Sequence, residues 1–458
     1  MKKKMRRSSK YLSVKLLIES FMLLILIGTV LLLMPFSTDK AALSFIDSLF
    51  TATSAVCVTG LTVVNTGDFT FWGQLIILML IQLGGLGIMA FATFFVILLS
   101  KRMSLSERLI FRDILPELTV KSVFALLRHI FLFTLLVEFL GVLVLVFFVF
   151  NDFTHLGNAV WYACFHSISA FCNAGFSLYP DSFTTFRSHS ALNGTMIGLI
   201  VIGGIGFVVY EEIYQKMKKR IKRKERVRLS VHSKIVILTS VLLILGGACL
   251  FFALEYYNAC EKMPIGEKIL TAVFQSVTTR TAGFNTVTVA DLSIPTIMVM
   301  MIWMFIGGAP ASCAGGIKVT TFALIACLVV AGLKGKEHVT VFKRRISNEI
   351  ITKALSLFFI SALLVMMAVY GVALLEKAGD SFRDVRGSFL EIVFECISAF
   401  GTVGLSMGIT GALSFLSKWI IVLLMFVGRL GPLTLGILIT AQRKEEPYEY
   451  PEENVIIG

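Results

Sequence analysis

Charge is scarce in this chain: only 16% of its 458 residues are charged, while 56% are hydrophobic and the mean hydropathy is +0.85. A soluble core of this size cannot hide so much apolar surface, so part of the solvent must be lipid. Signatures of catalysis are missing as well. No Walker A, G-x-S-x-G or H-E-x-x-H pattern occurs, and no set of convergent catalytic groups supports a membrane-embedded enzyme. The eight cysteines form no C-x-x-C or Cys/His cluster, which argues against a disulfide framework and against a metal site. What remains is passive or ion-coupled movement across a bilayer.

Acidic residues are fewer than basic ones, giving a net charge of +13. The distribution of that charge excludes nucleic acid as the partner. Basic clusters occupy the N-terminus (KKKMRRSSK), the stretch after Ser100 (KR, then RLIFR), the KMKKRIKRKERVR run, Lys334 to Arg345 and Arg443-Lys444. Apolar runs cover roughly 12–35, 71–100, 121–150, 190–217, 233–257, 349–375 and 414–442, and an eighth, from Ile294 to Leu333, is interrupted at its centre. In an eight-span arrangement the basic clusters share one side, which the positive-inside rule makes the cytoplasm, with both termini there. The opposite loops carry Asp68, Asp152, Asp181, Glu261, Asp291, Asp380 and Asp384. No A-x-A-type cleavage site follows the first apolar run, so it reads as a retained span.

Between the spans one motif occurs four times: FTATSAVCVTG (Phe50 to Gly60), FHSISAFCNAG (Phe165 to Gly175), FQSVTTRTAG (Phe274 to Gly283) and FECISAFGTVG (Phe394 to Gly404). The third copy is one residue shorter, which leaves the register before Gly283 open by one position. A second motif follows each, about 24 residues downstream in three copies and about 28 in the second: QLGGLG, VIGGIG, FIGGAP and FVGRLG. The short segments start near Ser44, Asn158, Gly266 and Arg386, too close to their glycines to cross a bilayer. This predicts an all-α polytopic membrane protein of four M1-pore loop-M2 repeats, with eight transmembrane helices and four re-entrant pore helices around a central pore. The repeats are 1–115, 116–225, 226–345 and 346–445, followed by a cytosolic tail, 446–458.

A monovalent cation leaving water needs oxygen ligands, and four converging backbone strands supply carbonyls without burying net charge. Val58, Thr59 and Gly60, Asn173, Ala174 and Gly175, Thr281, Ala282 and Gly283, and Thr402, Val403 and Gly404 are the candidate selectivity-filter residues. None is an Asp or Glu that would hold a divalent cation. The glycines permit backbone conformations closed to other residues, and the short helices would aim negative C-terminal ends at the ion. Arg280 is expected to point behind the filter and pair with a carboxylate. Glu138, mid-span, should face protein rather than lipid, in either a structural or an ion-related role.

The third repeat's second helix concentrates helix breakers at mid-membrane: Gly307, Gly308, Ala309, Pro310, Ala311, Ser312, Cys313, Ala314, Gly315 and Gly316. Either a packing kink or an irregular loop lining the pore below the filter results, and the density of Gly and Pro favours the loop. Arg429 stands where the other repeats have Gly85, Gly204 and Gly308. Its guanidinium will seek carbonyls, which the opened loop provides, so loop and arginine together suggest a movable plug.

The four pore units, QLGGLG, GGAPASCAGGIK, FVGRLGP and the terminal YPEENVIIG resemble the Trk/Ktr/HKT superfamily of cation uptake proteins, and within it the Ktr-type membrane subunit (KtrB/KtrD). The resemblance covers nearly the whole chain. It implies potassium uptake through the bacterial cell membrane, often with sodium dependence. It also implies a homodimer gated by a cytosolic ring of nucleotide-binding RCK subunits of the KtrA/KtrC kind, the nucleotide belonging to the partner and no cofactor being covalently bound. On matching positions the filter glycines are Gly60, Gly175, Gly283 and Gly404, and the gate is Gly307 to Gly316 with Arg429. Gating loops of the family are usually rich in Gly, Ser and Thr, whereas this one has Ala311, Cys313 and Ala314. A sensor or scaffold built on the same pore fold is the alternative function.

Overall fold

The computed structural model describes residues 2–38, 43–86, 120–149, 155–221, 229–377 and 387–431. The tail 446–458, Arg443-Lys444, Asp152, Asp380 and Asp384 lie outside the described residues. Four segments follow one another along the chain, each a long apolar helix, a short buried helix, an extended stretch and a further helix. The first comprises α1 (Lys2–Leu33), α2 (Phe45–Cys57) and α3 (Phe71–Gly85). The second comprises α4 (Val120–Val149), α5 (Leu156–Phe171) and α6 (Ser190–Ile205), with α7 (Phe207–Ile221) set at an angle to α6. The third comprises α8 (Val231–Glu255), α9 (Ile265–Thr278), α10 (Ile294–Phe305) and α11 (Val319–Leu333). A short hairpin of β1 (Thr340–Val341) and β2 (Arg344–Arg345) leads to the fourth: α12 (Asn348–Lys377), α13 (Ser388–Gly401) and α14 (Phe415–Leu430).

Side-chain caps fix several helix starts. Ser44 accepts from the Asp47 N–H, Thr70 from Gly73, Ser230 from Ser233 and Ser414 from Ser417, satisfying donors that a helix N-terminus otherwise leaves open. Among the described residues, α1, α4, α8 and α12 supply the stretches long and apolar enough on their own to cross a membrane, and the bent pair α6–α7 makes a fifth. Their outer faces stay bare: Phe147, Leu242, Phe359 and Met366 are 77%, 61%, 65% and 70% exposed. Apolar surface of that extent is stable in lipid rather than water.

The short helices are the reverse case, buried at the centre. Phe50, Phe165, Phe274 and Phe394, which open the four sequence motifs, are at most 1% exposed. In each segment the helix that follows the extended stretch packs on the short helix of the next: α3 on α5, α6 on α9, α10 on α13, and α14 back on α2. The cycle therefore closes within one chain. An ion pair at that closure joins Lys418 of α14 to Asp47 of α2, with Nζ 2.8 Å from Oδ1, while the Ser44 hydroxyl donates to Oδ2 at 2.6 Å.

One expected span is corrected. The run 190–217 was expected to be continuous, but the chain turns by 94° between α6 and α7. Gly206 permits the turn: its φ of +95° is foreign to a helix, and a Cβ there would lie 2.6 Å from the Pro310 carbonyl oxygen. The interruption expected between Ile294 and Leu333 falls at residues 306–318, between α10 and α11.

Candidate ion pathway

Three short helices end in the same way. In α2, α5 and α13 the residue after the helix turn, Val58, Asn173 or Thr402, adopts a left-handed conformation with φ of +57°, +59° or +49°. Its N–H bonds back to Ala55, Ala170 or Ala399, and the next N–H, of Thr59, Ala174 or Val403, reaches back to Ser54, Ser169 or Ser398 at 2.7 to 2.9 Å. This paired closure is a Schellman motif, normally built on glycine. A non-glycine residue there costs about 1–2 kcal/mol, so the surroundings must hold it in place.

The third copy reaches the same geometry with one residue fewer. Thr281 is left-handed at φ +71°, but the Ala282 N–H bonds to Thr278, four residues back instead of five. The missing residue is thus absorbed at the helix end, and Thr281-Ala282-Gly283 keeps register with the other three stretches.

The four glycines then meet. All have positive φ: +92° at Gly60, +71° at Gly175, +79° at Gly283 and +90° at Gly404. A Cβ on Gly175 would stand 2.9 Å from the Ala282 carbonyl oxygen, and one on Gly60, Gly283 or Gly404 would strike the carbonyl oxygen of Ala174, Val403 or Thr59. Each glycine therefore packs against the carbonyl preceding the next segment's glycine, and the order runs first to second to third to fourth to first. Alternating left- and right-handed residues along each stretch can turn successive carbonyls to one side, which is how a carbonyl-lined cation path is made. On one face the glycines line a vestibule of about 490 Å³.

The motifs also carry residues whose part sequence reasoning missed. Ser54, Ser169, Thr278 and Ser398 hold one position, fifth in each copy, and all four brace the stretch. The Ser54 and Ser398 hydroxyls accept the N–H of Gly60 and Gly404 at 3.1 Å; those of Ser169 and Thr278 donate to the carbonyls of Phe176 and Phe284 at 2.8 and 2.5 Å. Their recurrence as Ser or Thr was the available signal. With its amide oriented so that oxygen and nitrogen are both satisfied, Asn173 donates from the nitrogen to the Ala170 and Ile200 carbonyls at 3.1 Å.

Arg280 does lie behind the ring, at 8% exposure, but no carboxylate among the described residues pairs with it. Its Nη1 and Nη2 donate to the Ser240 carbonyl at 3.4 Å and the Ser240 hydroxyl at 3.1 Å, on α8. A carbonyl and a hydroxyl accommodate the guanidinium without desolvating a second charge. Glu138 faces protein, 4% exposed, accepting from Gln82 Nε2 at 3.1 Å.

On the face away from the vestibule lies the irregular segment of residues 306–318. Ala309 and Cys313 N–H groups donate to the Gly204 and Gly203 carbonyls at 3.0 and 3.3 Å, and the Phe207 N–H donates to the Ala311 carbonyl at 2.8 Å. The segment so completes the hydrogen bonding that the bend at Gly206 breaks. Gly315 abuts the Thr402 side chain, where a Cβ would come within 2.7 Å of Cγ2, so the segment presses directly on the fourth glycine stretch. Arg429, 6% exposed, donates from Nη1 to the Cys313 carbonyl and from Nη2 to the Gly84 carbonyl at 2.5 Å. Lys318, to which sequence reasoning assigned no part, donates from Nζ to the Ala314 carbonyl at 2.6 Å. Gly307, Gly308, Pro310, Ser312 and Gly316 complete the segment, Ser312 donating to the Ala309 carbonyl at 2.7 Å.

Lipid-facing helices enclosing buried short helices, whose C-terminal ends converge on a ring of backbone carbonyls, define a polytopic membrane protein of the cation-transport class. The chain belongs to the TrkH family: the family model, described as "Cation transport protein", matches residues 3–448. It is thus a membrane cation transporter and not an enzyme. It is 40% identical to the Ktr system potassium uptake protein B of Bacillus subtilis, over 96% of this chain and 95% of the relative. It is 36% identical to the potassium/sodium uptake protein NtpJ of Enterococcus hirae, over 100% and 99%. The crystal structure of the potassium transporter TrkH from Vibrio parahaemolyticus shares its fold, with a TM-score of 0.69 at 21% identity over 93% of this chain and 86% of that one.

Proposed function

We propose that this chain takes up potassium across a bacterial cell membrane as the ion-translocating subunit of a Ktr-type system. The carrying observation is the closed ring in which Gly60, Gly175, Gly283 and Gly404 each pack on the next segment's carbonyl. Carbonyls suit a monovalent cation, and the relatives named for potassium uptake support that ion. In this reading the chain crosses the membrane eight times with both termini cytoplasmic, and the four glycine stretches form the selectivity filter. The segment Gly307 to Gly316 blocks the path beneath it. Arg429 holds that block closed by its bond to Cys313.

A homodimer is the working unit, and a cytosolic RCK-type ring, which binds the nucleotide, biases the gate. The likeness to a Ktr system protein supports that division; the chain has no nucleotide motif of its own, and a conformational equilibrium shifts only when something binds its two states unequally. Sodium is proposed as a co-ion by likeness to the potassium/sodium uptake protein. Expression in a bacterial host stripped of its own potassium uptake tests the reading. Growth at low external potassium is expected; no growth with the protein present in the membrane would contradict it.

A further inference from the structure

Two residues beyond each ring glycine stands a side chain with an oxygen: Thr62, Ser177, Asn285 and Ser406. All four line the same vestibule as the glycines. Two of them, in the second and fourth segments and so not adjacent in the cycle, are built alike. The Ser406 hydroxyl donates to Glu395 Oε2 at 2.8 Å, accepts the Gly408 N–H at 2.9 Å and lies 3.0 Å from Thr410 Oγ1, whose own hydrogen goes to Glu395 Oε1. Ser177 lies 3.1 Å from His166 Nε2 and accepts the Tyr179 N–H at 3.0 Å.

The direction of the Ser177 bond follows from the imidazole. Nδ1 faces the Tyr162 carbonyl at 2.8 Å and must carry the proton, leaving the single Nε2 lone pair to be shared by the Leu178 N–H at 3.3 Å and the Ser177 hydroxyl at 3.1 Å. In both serines the hydrogen is thus spent on a buried group and one lone pair on a backbone N–H. The remaining lone pair is left for the vestibule, so each hydroxyl is fixed as an acceptor. A free serine would rotate to suit water instead. The two buried partners are 3% and 1% exposed and hold one motif position, directly after Phe165 and Phe394.

We propose that Thr62, Ser177, Asn285 and Ser406 form an outer binding ring for a partly dehydrated monovalent cation above the carbonyl ring, with His166 and Glu395 as its positioning residues. The inference rests on the filter reading and adds a site that sets affinity rather than selectivity. Oxygen acceptors fixed in advance replace part of the hydration shell without paying to be ordered on binding.

The test is the potassium dependence of flux in liposomes containing the full chain. In the Ser177→Ala, Ser406→Ala double variant the half-saturating potassium concentration should rise by about tenfold, with maximal flux and the potassium-to-sodium ratio retained because the glycine ring is intact. Glu395→Leu should raise half-saturation likewise, and Glu395→Gln, which keeps an acceptor for Ser406, should restore it. Maximal flux serves as the control for folding in every variant. Normal wild-type flux with unchanged half-saturation in the double variant overturns the outer ring alone, whereas an absence of potassium flux in both the wild type and Arg429→Ala sinks the filter reading as well. Glu395→Gln behaving like Glu395→Leu would overturn the positioning role.

Discussion

Arg429 bonds to Cys313 in the irregular segment and to Gly84 in α3, so one side chain fastens the fourth segment to the third and the first. Hydrogen bonds from a charged donor contribute roughly 1.5–3 kcal/mol each. Arg429→Ala should therefore raise flux in the absence of any regulator by about tenfold or more. Tracer efflux from liposomes measures this, and a variant that inserts normally yet conducts no more than wild type would refute the plug. Arg429 was legible because it replaces a glycine in a repeated motif, and because a guanidinium at that depth must find carbonyls. The partner of Arg280 was not legible, since Ser240 lies forty positions away in sequence on α8 and nothing local marks a hydroxyl as the acceptor. Lys318 escaped notice for a related reason: a lysine just after GGI resembles an ordinary basic flank, and only the fold shows its Nζ on the Ala314 carbonyl.

At the scale of elements, the starts of the four short helices were close to readable, near Ser44, Asn158, Gly266 and Arg386 against Phe45, Leu156, Ile265 and Ser388. Their apolar runs are too brief to cross, and motif recurrence removes the ambiguity of any one copy. The long helices were readable from hydropathy alone. The turn at Gly206 was not, because VIGGIGFVVY is apolar throughout and hydropathy carries no sign of φ. What breaks α6 from α7 is a tertiary exchange: the irregular segment takes the Gly203 and Gly204 carbonyls and gives the Ala311 carbonyl to Phe207. The irregular segment and the bent helix are therefore one hydrogen-bonded unit. The register of the third glycine stretch was likewise open in sequence, since only the backbone shows the missing residue absorbed at the end of α9.

At the scale of the molecule, four segments of one chain make a closed cycle, and Asp47 with Lys418 locks its ends together. The proposed plug needs something outside the membrane path to bias it. The tail YEYPEENVIIG carries Tyr448, Tyr450, Val455, Ile456 and Ile457, contact residues that membrane topology does not require, and it lies outside the described residues. If the tail docks the proposed regulatory ring and supports the proposed dimer, removing Pro447 to Gly458 should weaken co-purification with that ring or abolish its control of flux. A truncated protein that keeps its dimer, its ring and a normal nucleotide response would dismiss that role. The central claim, however, concerns the glycine ring, and it is tested most directly by potassium and sodium flux through the purified chain in liposomes, wild type beside Gly60→Ser. At φ +92° a serine is strained by about 1–3 kcal/mol, and its Cβ would press on the second glycine stretch, 2.9 Å from the Gly175 Cα. The wild type is expected to favour potassium and the folded variant to lose roughly tenfold of that preference; an unchanged ratio of the two fluxes in a folded Gly60→Ser protein would contradict the account.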